Sequence, residues 1–217
     1  MRKYCILVLL LFAAAFIVGS PAYSILVTIG ANDDCFVWSN ATEAVLPHDS
    51  SGIYIKGQTG AYTRRGYVEF TFQMTDVTSA VLYLYNTGNG GASWKCDLKG
   101  KPLDIDENTL TWNTKPDFTT STTLGQWSLI ANAGSQGWFS MDITAFYNAN
   151  KGETVTIQLT SPTTSTTGGG TFEDHEGNKL TTNYPRLEIL PVPEPSSLLA
   201  LACGCVGIMG LVRRRRS

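Results

Sequence analysis

The chain has 217 residues, of which 43% are hydrophobic and 16% are charged; this suits one ordinary globular domain and excludes a disordered or coiled-coil chain. Six of its 16 basic residues lie in the first three and last five positions, so residues 25–192 carry ten basic against seventeen acidic side chains, which argues against a nucleic-acid partner. The two histidines, His48 and His175, are too few for a metal centre built from several imidazoles.

The N-terminus is predicted to be a secretory signal peptide that spans residues 1–24. Two basic residues open it, residues 6–18 form an unbroken apolar run, and a small-x-small cleavage site ends at Ser24. A buried N-terminal helix is the alternative, but no polar residue interrupts the run to make an amphipathic face. We therefore expect signal peptidase to cleave here and the processed chain to begin near Ile25.

Residues 25–190 show the pattern of an all-β domain. Short runs rich in β-branched and aromatic residues are separated by Gly, Asn, Asp and Pro, without a heptad or an internal repeat. Apolar residues alternate or run together in residues 81–85 and 154–159, as in strands with one face buried in a sandwich. Eleven strands are predicted, over residues 24–29, 35–38, 52–56, 66–72, 79–85, 94–98, 125–129, 138–141, 154–160, 170–173 and 186–190.

One short helix is predicted after Asp142. This residue can cap it, Ile143, Phe146 and Tyr147 recur at helical spacing, and Gly152 ends the pattern. Asp142 is therefore interpreted as a structural cap and not as a catalytic acid. The chain has no nucleophile elbow, P-loop or zinc helix in its sequence, which favours a protein that is not an enzyme.

Five motifs in the middle of the chain resemble, in order, those of DNRLRE-type domains. They are Arg65–Phe70, Val77–Leu84, Glu107–Pro116, Gly137–Thr144 and Tyr184–Ile189. The resemblance covers nearly all of residues 25–190 and implies an antiparallel jelly-roll β-sandwich, described in some members as a carbohydrate-binding module of secreted or surface proteins. Residues 172–176 depart from the family pattern, because an acidic cluster replaces a basic residue there.

The resemblance implies an exported protein of the cell surface or extracellular matrix that binds polysaccharide and catalyses no reaction. Two alternatives stay open. The first is a small secreted enzyme that cleaves polysaccharide, since such enzymes can work with Tyr, Arg or carboxylates alone. The second is a purely structural matrix protein without a ligand, because a sandwich can bury every aromatic residue in its core.

Tryptophans are the first candidates for contact with a sugar, because the C–H faces of sugars stack on flat aromatic rings. Trp94 follows the Gly-rich residues 90–93 and is predicted to be an exposed platform, with core packing as an equal alternative. Trp112 and Trp138 lie in the family motifs and are predicted to be core residues.

Tyr62, Arg64 and Arg65 form a second candidate group. A guanidinium binds a carboxylate through two parallel hydrogen bonds, so these residues would suit an acidic sugar. A plain surface pair of arginines is the alternative. The acidity of the domain weighs against an acidic polysaccharide unless a local basic patch exists.

Two further sites are predicted only as options. Four carboxylates offer oxygen ligands for a structural calcium ion, although their spacing matches no named calcium loop and solvated carboxylates are the alternative. They are Asp33, Asp34, Glu173 and Asp174. No other cofactor is predicted. Cys35 and Cys96 lie between the terminal signals and can form a disulfide in an oxidising compartment, or remain two buried thiols.

The C-terminal residues 191–217 combine three features in order. They are the tripeptide Pro193, Glu194, Pro195, the apolar residues 198–212, and the four basic residues Arg213, Arg214, Arg215 and Arg216. The apolar stretch is a short membrane span, and the arginines would hold its end in the cytoplasm. The order resembles the PEP-CTERM sorting signal, which implies recognition by an exosortase, cleavage near the Pro-Glu-Pro tripeptide and release to the surface or matrix. A plain membrane anchor is the alternative.

Overall fold

A computed structural model describes residues 25–46, 52–57, 62–89, 94–129, 136–162, 169–175 and 183–192. In this part of the chain, residues Leu26–Pro191 form one compact unit, and the predicted antiparallel jelly-roll sandwich with one short helix is confirmed. The strands are β1 (Val27–Gly30), β2 (Asp34–Trp38), β3 (Ile53–Lys56), β4 (Arg64–Thr71), β5 (Val77–Asn89), β6 (Trp94–Pro102), β7 (Thr122–Leu129), β8 (Gly137–Asp142), β9 (Thr154–Thr160), β10 (Gly169–Phe172) and β11 (Arg186–Pro191), and the helix is α1 (Thr144–Ala149).

The strands form one hydrogen-bonded path that folds over into two layers, and every pairing between them is antiparallel. The first layer has the order β2-β4-β9-β6-β7, and the second has the order β1-β11-β5-β8. Strand β10 connects the layers, since it pairs with β5 and with β3, and β3 meets β4 at Lys56 and Arg64.

The main hydrophobic core lies between the two layers. Because side chains alternate along a strand, Leu82 and Leu84 of β5 point inward and are fully buried, whereas Tyr83 and Tyr85 lie on the outer face. Strands of the first layer supply the opposite side of the same core, with residues such as Val68, Phe70, Ile157 and Leu159.

The outer face of the first layer is covered by residues 103–121, which connect β6 to β7 and which we call the covering segment. It packs on that face through a second apolar cluster of Cys35, Val37, Tyr67, Ile105, Leu110 and Phe118. Buried carboxylates fix it in place: Glu69 accepts a hydrogen bond from the backbone N–H of Ile105 at 2.7 Å, and Glu107 accepts one from the backbone N–H of Asp34 at 3.1 Å. The Glu107–Pro116 motif therefore lies in a structural cover.

Helix α1 begins where the sequence predicts it. The Asp142 carboxylate accepts hydrogen bonds from the hydroxyl and from the backbone N–H of Thr144, at 2.6 and 2.9 Å, and these two bonds lower the pKa of Asp142. Ile143 occupies the N-cap position, so Asp142 lies one residue before the cap position that was predicted for it. Tyr147 is buried and stacks on Phe72 with ring centroids 4.4 Å apart, which docks the helix on the core.

Of the two alternatives for Cys35 and Cys96, a disulfide or two buried thiols, the structure shows two free, buried thiols. Cys35 lies in the cluster beneath the covering segment, whereas Cys96 faces the main core. The first layer therefore separates the two sulfur atoms. Burial raises the pKa of both thiols.

The predicted processing residues lie outside the described residues. They are Ser24, Pro193, Glu194, Pro195 and Arg213 to Arg216. Among the residues that the structure describes, no helix combines the length and the apolar character that a membrane crossing needs.

Candidate functional site

A cleft of about 290 Å³ opens on the outer face of the first layer, beside one end of the covering segment. Its volume is close to the lower end of the range for small-molecule sites. Residues from β4, β6 and β9 line it, and residues 117–119 of the covering segment complete the lining. The cover thus turns part of a flat sheet surface into a concave site.

Positive charge dominates this cleft. Among the described residues, Lys56, Arg64, Arg65 and Lys99 line it together with one acidic residue, Asp117. The Asp117 carboxylate accepts hydrogen bonds from the backbone N–H and the hydroxyl of Thr119, at 2.9 and 2.7 Å, and these bonds lower its pKa. The cleft is therefore a local basic patch in a domain whose acidic residues outnumber its basic ones.

Arg65 is held in position by an aromatic ring. Its guanidinium lies 5.3 Å from the ring centroid of Trp112, and the Lys115 ammonium lies 4.2 Å from the same ring. Trp112 is half-buried at the edge of the outer cluster and not in the main core, which corrects the prediction for it. A guanidinium stacked on a ring loses little further freedom when it binds an anion.

A hydrogen bond between two side chains stabilises the floor of the cleft. Gln158, which lines it, donates to the hydroxyl of the buried Tyr67 at 3.2 Å. Desolvation raises the pKa of Tyr67 to about 12, so the phenol is neutral at physiological pH. Tyr67 therefore supports the floor and is a poor candidate for a catalytic base.

Arg64, which also lines the cleft, lies between two aromatic rings. Its guanidinium is 4.7 Å from the ring of Trp38 and 5.2 Å from that of Tyr54. Burial lowers its pKa, and within the described part of the chain its Nε atom has no hydrogen-bond partner. Arg64 is thus a fixed cation with unused donor capacity at the edge of the cleft.

Tyr62 lies next to the cleft and is 52% exposed, with the Lys56 ammonium 5.7 Å from its ring centroid. The structure therefore brings the predicted Tyr62, Arg64 and Arg65 into one region. It adds Lys56 and Lys99, which were not predicted to be site residues. No local pattern marks these lysines, because they come from separate strands and meet only in the folded sandwich.

The prediction for Trp94 as an exposed platform is wrong, since this residue is 2% exposed. It is the first residue of β6, points into the core and contacts Phe172 with ring centroids 6.2 Å apart. Gly170 makes room for it, because a Cβ atom at that position would lie 2.1 Å from the indole ring.

The four predicted calcium ligands do not form a metal site. Among the described residues, no group of three or more acidic, histidine or cysteine side chains is arranged to hold a metal ion. Asp34 accepts hydrogen bonds from the backbone N–H of His175 at 2.7 Å and lies 3.2 Å from its Nδ1, and Asp174 accepts the N–H of Gly52 at 2.9 Å. Asp33 and Glu173 have partners of their own.

An aromatic cluster that was not predicted from the sequence lies on the outer face of the second layer. Trp138 was predicted to be a core residue but is 38% exposed, and it contacts Tyr83, Tyr85 and Arg186. One signal was available, because the alternation of Leu and Tyr in residues 81–85 already placed the two tyrosines on the face opposite the core.

Comparisons with known proteins place the chain among binding modules. The model of carbohydrate-binding module family 96 matches residues 26–189, and the PEP-CTERM protein-sorting motif matches residues 191–216. The carbohydrate-binding and sorting parts of the expected resemblance are thereby confirmed, whereas the DNRLRE assignment stays a prediction. No curated protein matches this chain.

Several solved carbohydrate-binding modules resemble the structure remotely. The CBM35 of Cellvibrio japonicus Abf62 has 10% identity and a TM-score of 0.33, with 77% of this chain and 95% of that chain covered. The CBM35 of Paenibacillus barcinonensis has 10% identity and a TM-score of 0.32, over 76% and 99% of the two chains. A family 35 module of Clostridium thermocellum has 16% identity and a TM-score of 0.30, over 75% and 97%.

Proposed function

Because the chain belongs to carbohydrate-binding module family 96, we propose that its basic cleft binds an acidic polysaccharide. The protein is an exported carbohydrate-binding protein whose PEP-CTERM motif directs exosortase sorting to the surface or the extracellular space. One observation supports the finer assignment: the described residues that line the cleft include four cations and one acid, in a domain that is acidic overall.

Arg65 is the residue we expect to contribute most. Its guanidinium, held over Trp112, can bind the carboxylate of a uronic acid unit through two parallel hydrogen bonds. Lys99 would add a point charge, and Gln158 supplies an amide beside the sugar hydroxyls. The ligand class is therefore a polyuronate or a polymer with equivalent anionic groups.

The role we propose is binding without catalysis. The neutral, buried Tyr67 is a poor base, and the Asp117 carboxylate, with its lowered pKa and its bonds to Thr119, is a poor acid. Both observations favour a module over the polysaccharide-cleaving alternative. A structural protein without a ligand remains the other alternative. Measurements of polymer binding and polymer cleavage distinguish the module, the enzyme and the structural protein.

Binding to a polyuronate and to its carboxyl-reduced form tests the proposal, because reduction replaces each carboxylate with a neutral primary alcohol and leaves the rest of the polymer unchanged. We expect the exported protein to bind the polyuronate, with an affinity that falls as the salt concentration rises. The cleft should not bind the reduced polymer. Arg65→Ala should weaken polyuronate binding at least tenfold, about 1.4 kcal/mol. Lys95→Ala removes the same charge outside the cleft and should leave the affinity unchanged.

Each other outcome contradicts the proposal in its own way. Equal effects of the two substitutions would show that net charge alone attracts the polymer. Shortening of the polyuronate during incubation would identify an enzyme. Absence of binding to both polymers would leave the purely structural role.

We also propose three processing steps for the full chain. Signal peptidase removes residues 1–24, the apolar residues 198–212 anchor the chain transiently in the membrane with the terminal arginines in the cytoplasm, and cleavage near Pro193–Pro195 releases residues 25–190. The match of the sorting motif to residues 191–216 supports the last two steps. The intact mass of protein from producing cells should lack both ends, and a full C-terminus would identify a permanent anchor.

A further inference from the structure

The outer face of the second layer carries an exposed aromatic cluster that plays no part in the cleft. It consists of Trp138 on β8, Tyr83 and Tyr85 on β5, and Arg186 on β11, and we call it the aromatic platform. Trp138 lies directly opposite Tyr85, and Arg186 lies directly opposite Tyr83. Three neighbouring strands thus place four large side chains on one surface.

Mutual contacts fix the orientation of Trp138 without burying it. The rings of Tyr85 and Tyr83 meet it edge to face, with centroids 5.3 and 6.3 Å away. The Arg186 guanidinium lies 3.9 Å from its ring centroid and 5.1 Å from that of Tyr83. An exposed ring that is already fixed loses little entropy when a ligand stacks on it.

The exposure of Trp138 sets it apart from the tryptophans of the core. It is 38% exposed, whereas Trp94 and Trp127 are 2% and 7% exposed. An aromatic side chain gains free energy by leaving water, because its apolar surface is large. A rigid cluster that keeps such a ring in solvent is typical of a binding surface.

The charge of the platform identifies its ligand class. The Nε atom of Arg186 donates to the carboxylate of Glu188 at 3.1 Å, so the only cation of the cluster is paired with an anion. The platform is therefore neutral where the cleft is strongly positive. A neutral aromatic surface with an exposed indole ring, and with hydroxyl, guanidinium and carboxylate groups beside it, suits an uncharged sugar ring, which offers C–H groups on one face and hydroxyls at its rim.

We propose that the aromatic platform binds a neutral polysaccharide, independently of the acidic polymer in the cleft. The two sites lie on the outer faces of different layers, with the buried core between them. Neither ligand blocks the other, and one domain can hold a charged and an uncharged chain together.

Retardation of the full chain in gels that contain soluble cellulose ether, starch or mannan tests this site. We expect at least one of these neutral polymers to bind, with an affinity that is the same at 50 and 500 mM salt. Trp138→Ala should weaken that binding at least tenfold, and Trp138→Phe should restore part of it. Met74→Ala removes a more exposed apolar side chain from a loop outside the platform and serves as the matched control.

The reciprocal measurements separate this proposal from the one for the cleft. Trp138→Ala should leave polyuronate binding unchanged, and Arg65→Ala should leave neutral binding unchanged. Equal thermal unfolding midpoints for Trp138→Phe and the unsubstituted protein would show that the platform variant is folded. If none of the three neutral polymers bound, or if Trp138→Ala bound them with full affinity, the proposal for the platform would be wrong. The proposal for the cleft would not be affected.

Discussion

The two outer faces of the sandwich differ in what lies on them. The first layer is covered by residues 103–121, which bury a second apolar cluster and leave a cleft beside it. Among the residues that the structure describes, none forms a comparable cover over the platform of the second layer, where Trp138 is 38% exposed. Both faces arise from the same alternation of side chains. The long connection between β6 and β7 therefore makes one sheet face a concave, charged cleft, whereas the other face presents an exposed aromatic cluster.

The forces that hold the two surfaces also differ. Buried hydrogen bonds attach the covering segment, such as the bond from the Thr156 hydroxyl to the Leu103 carbonyl at 2.7 Å. Ring contacts and one ion pair organise the platform. We therefore expect changes beneath the cover to affect stability, and changes on the platform to affect binding.

The largest expected effect is on folding, from the loss of one ring by which the covering segment packs on the first layer. Phe118 is buried and packs against Tyr67 with ring centroids 6.0 Å apart. Phe118→Ala should lower the free energy of unfolding by about 3–5 kcal/mol in urea titrations. Tyr85→Ala, on the open face, should cost only about 1 kcal/mol. Equal losses would show that the covered cluster contributes no special stability.

The next effect concerns pH, because Glu69 is buried beneath the cover. Desolvation raises its pKa to about 7, above the ordinary value of about 4.5. The folded protein therefore binds this proton more tightly than the unfolded chain does, and stability falls as pH rises from about 4.5 to 7. We expect a loss on the order of 1 kcal/mol, since solvent screening reduces the effect.

Glu69→Gln tests this assignment by comparison of urea midpoints at pH 5 and pH 8. The substitution should flatten the dependence, because the amide keeps an acceptor for the N–H of Ile105 without a titrating proton. Asp34, whose pKa is raised to about 6 mainly by burial, contributes in the same direction, and Asp34→Asn should remove its share. An unchanged slope in both variants would contradict the assignment.

A smaller effect is expected from the second cation of the cleft. Lys99→Ala should weaken polyuronate binding about threefold, less than Arg65→Ala, because an ammonium is a point charge without the two-bond geometry of a guanidinium. Neutral polysaccharide binding should not change. Calorimetric titration with the polyuronate and with the neutral polysaccharide measures the two affinities. A changed affinity for the neutral polysaccharide would show that the two faces are coupled.

The smallest expected effect is zero. Because Cys35 and Cys96 are free and lie on opposite faces of the first layer, a reductant should leave the thermal unfolding midpoint unchanged. A midpoint that falls in the presence of a reductant would show that the thiols pair after all.

The strands were predictable because alternation is a local property. All eleven predicted strands occur, and β9 has the predicted bounds of Thr154–Thr160. Strand β5 is longer than predicted and extends to Asn89. Its last residues are polar or glycine, and they become a strand only because β10 pairs with them. Such pairing comes from tertiary structure, which no local pattern carries.

The site was predictable only where its residues are neighbours in sequence. Arg64 and Arg65 stand together and were identified, whereas Lys56 and Lys99 reach the cleft from other strands. Three tryptophans differ from their predictions. For Trp94 and Trp138, exposure was inferred from neighbouring residues or motifs and not from the face of the strand, whereas Trp112 lies on no strand. Trp138 and Phe139 are both aromatic, so alternation alone could not decide which one points inward.

The pairing of β1 with β11 has a mechanical consequence. Val27, at the start of the folded unit, lies opposite Ile189, near its end, so both chain ends leave the sandwich at the same place. A pull between the two ends would peel the four-residue strand β1 away one hydrogen bond at a time. A pull on the C-terminal end against a ligand held on β4 would instead load β11 along its length between β1 and β5, where many hydrogen bonds break together. The same domain is therefore weak under tension between its two ends and resistant under tension between its C-terminal end and β4.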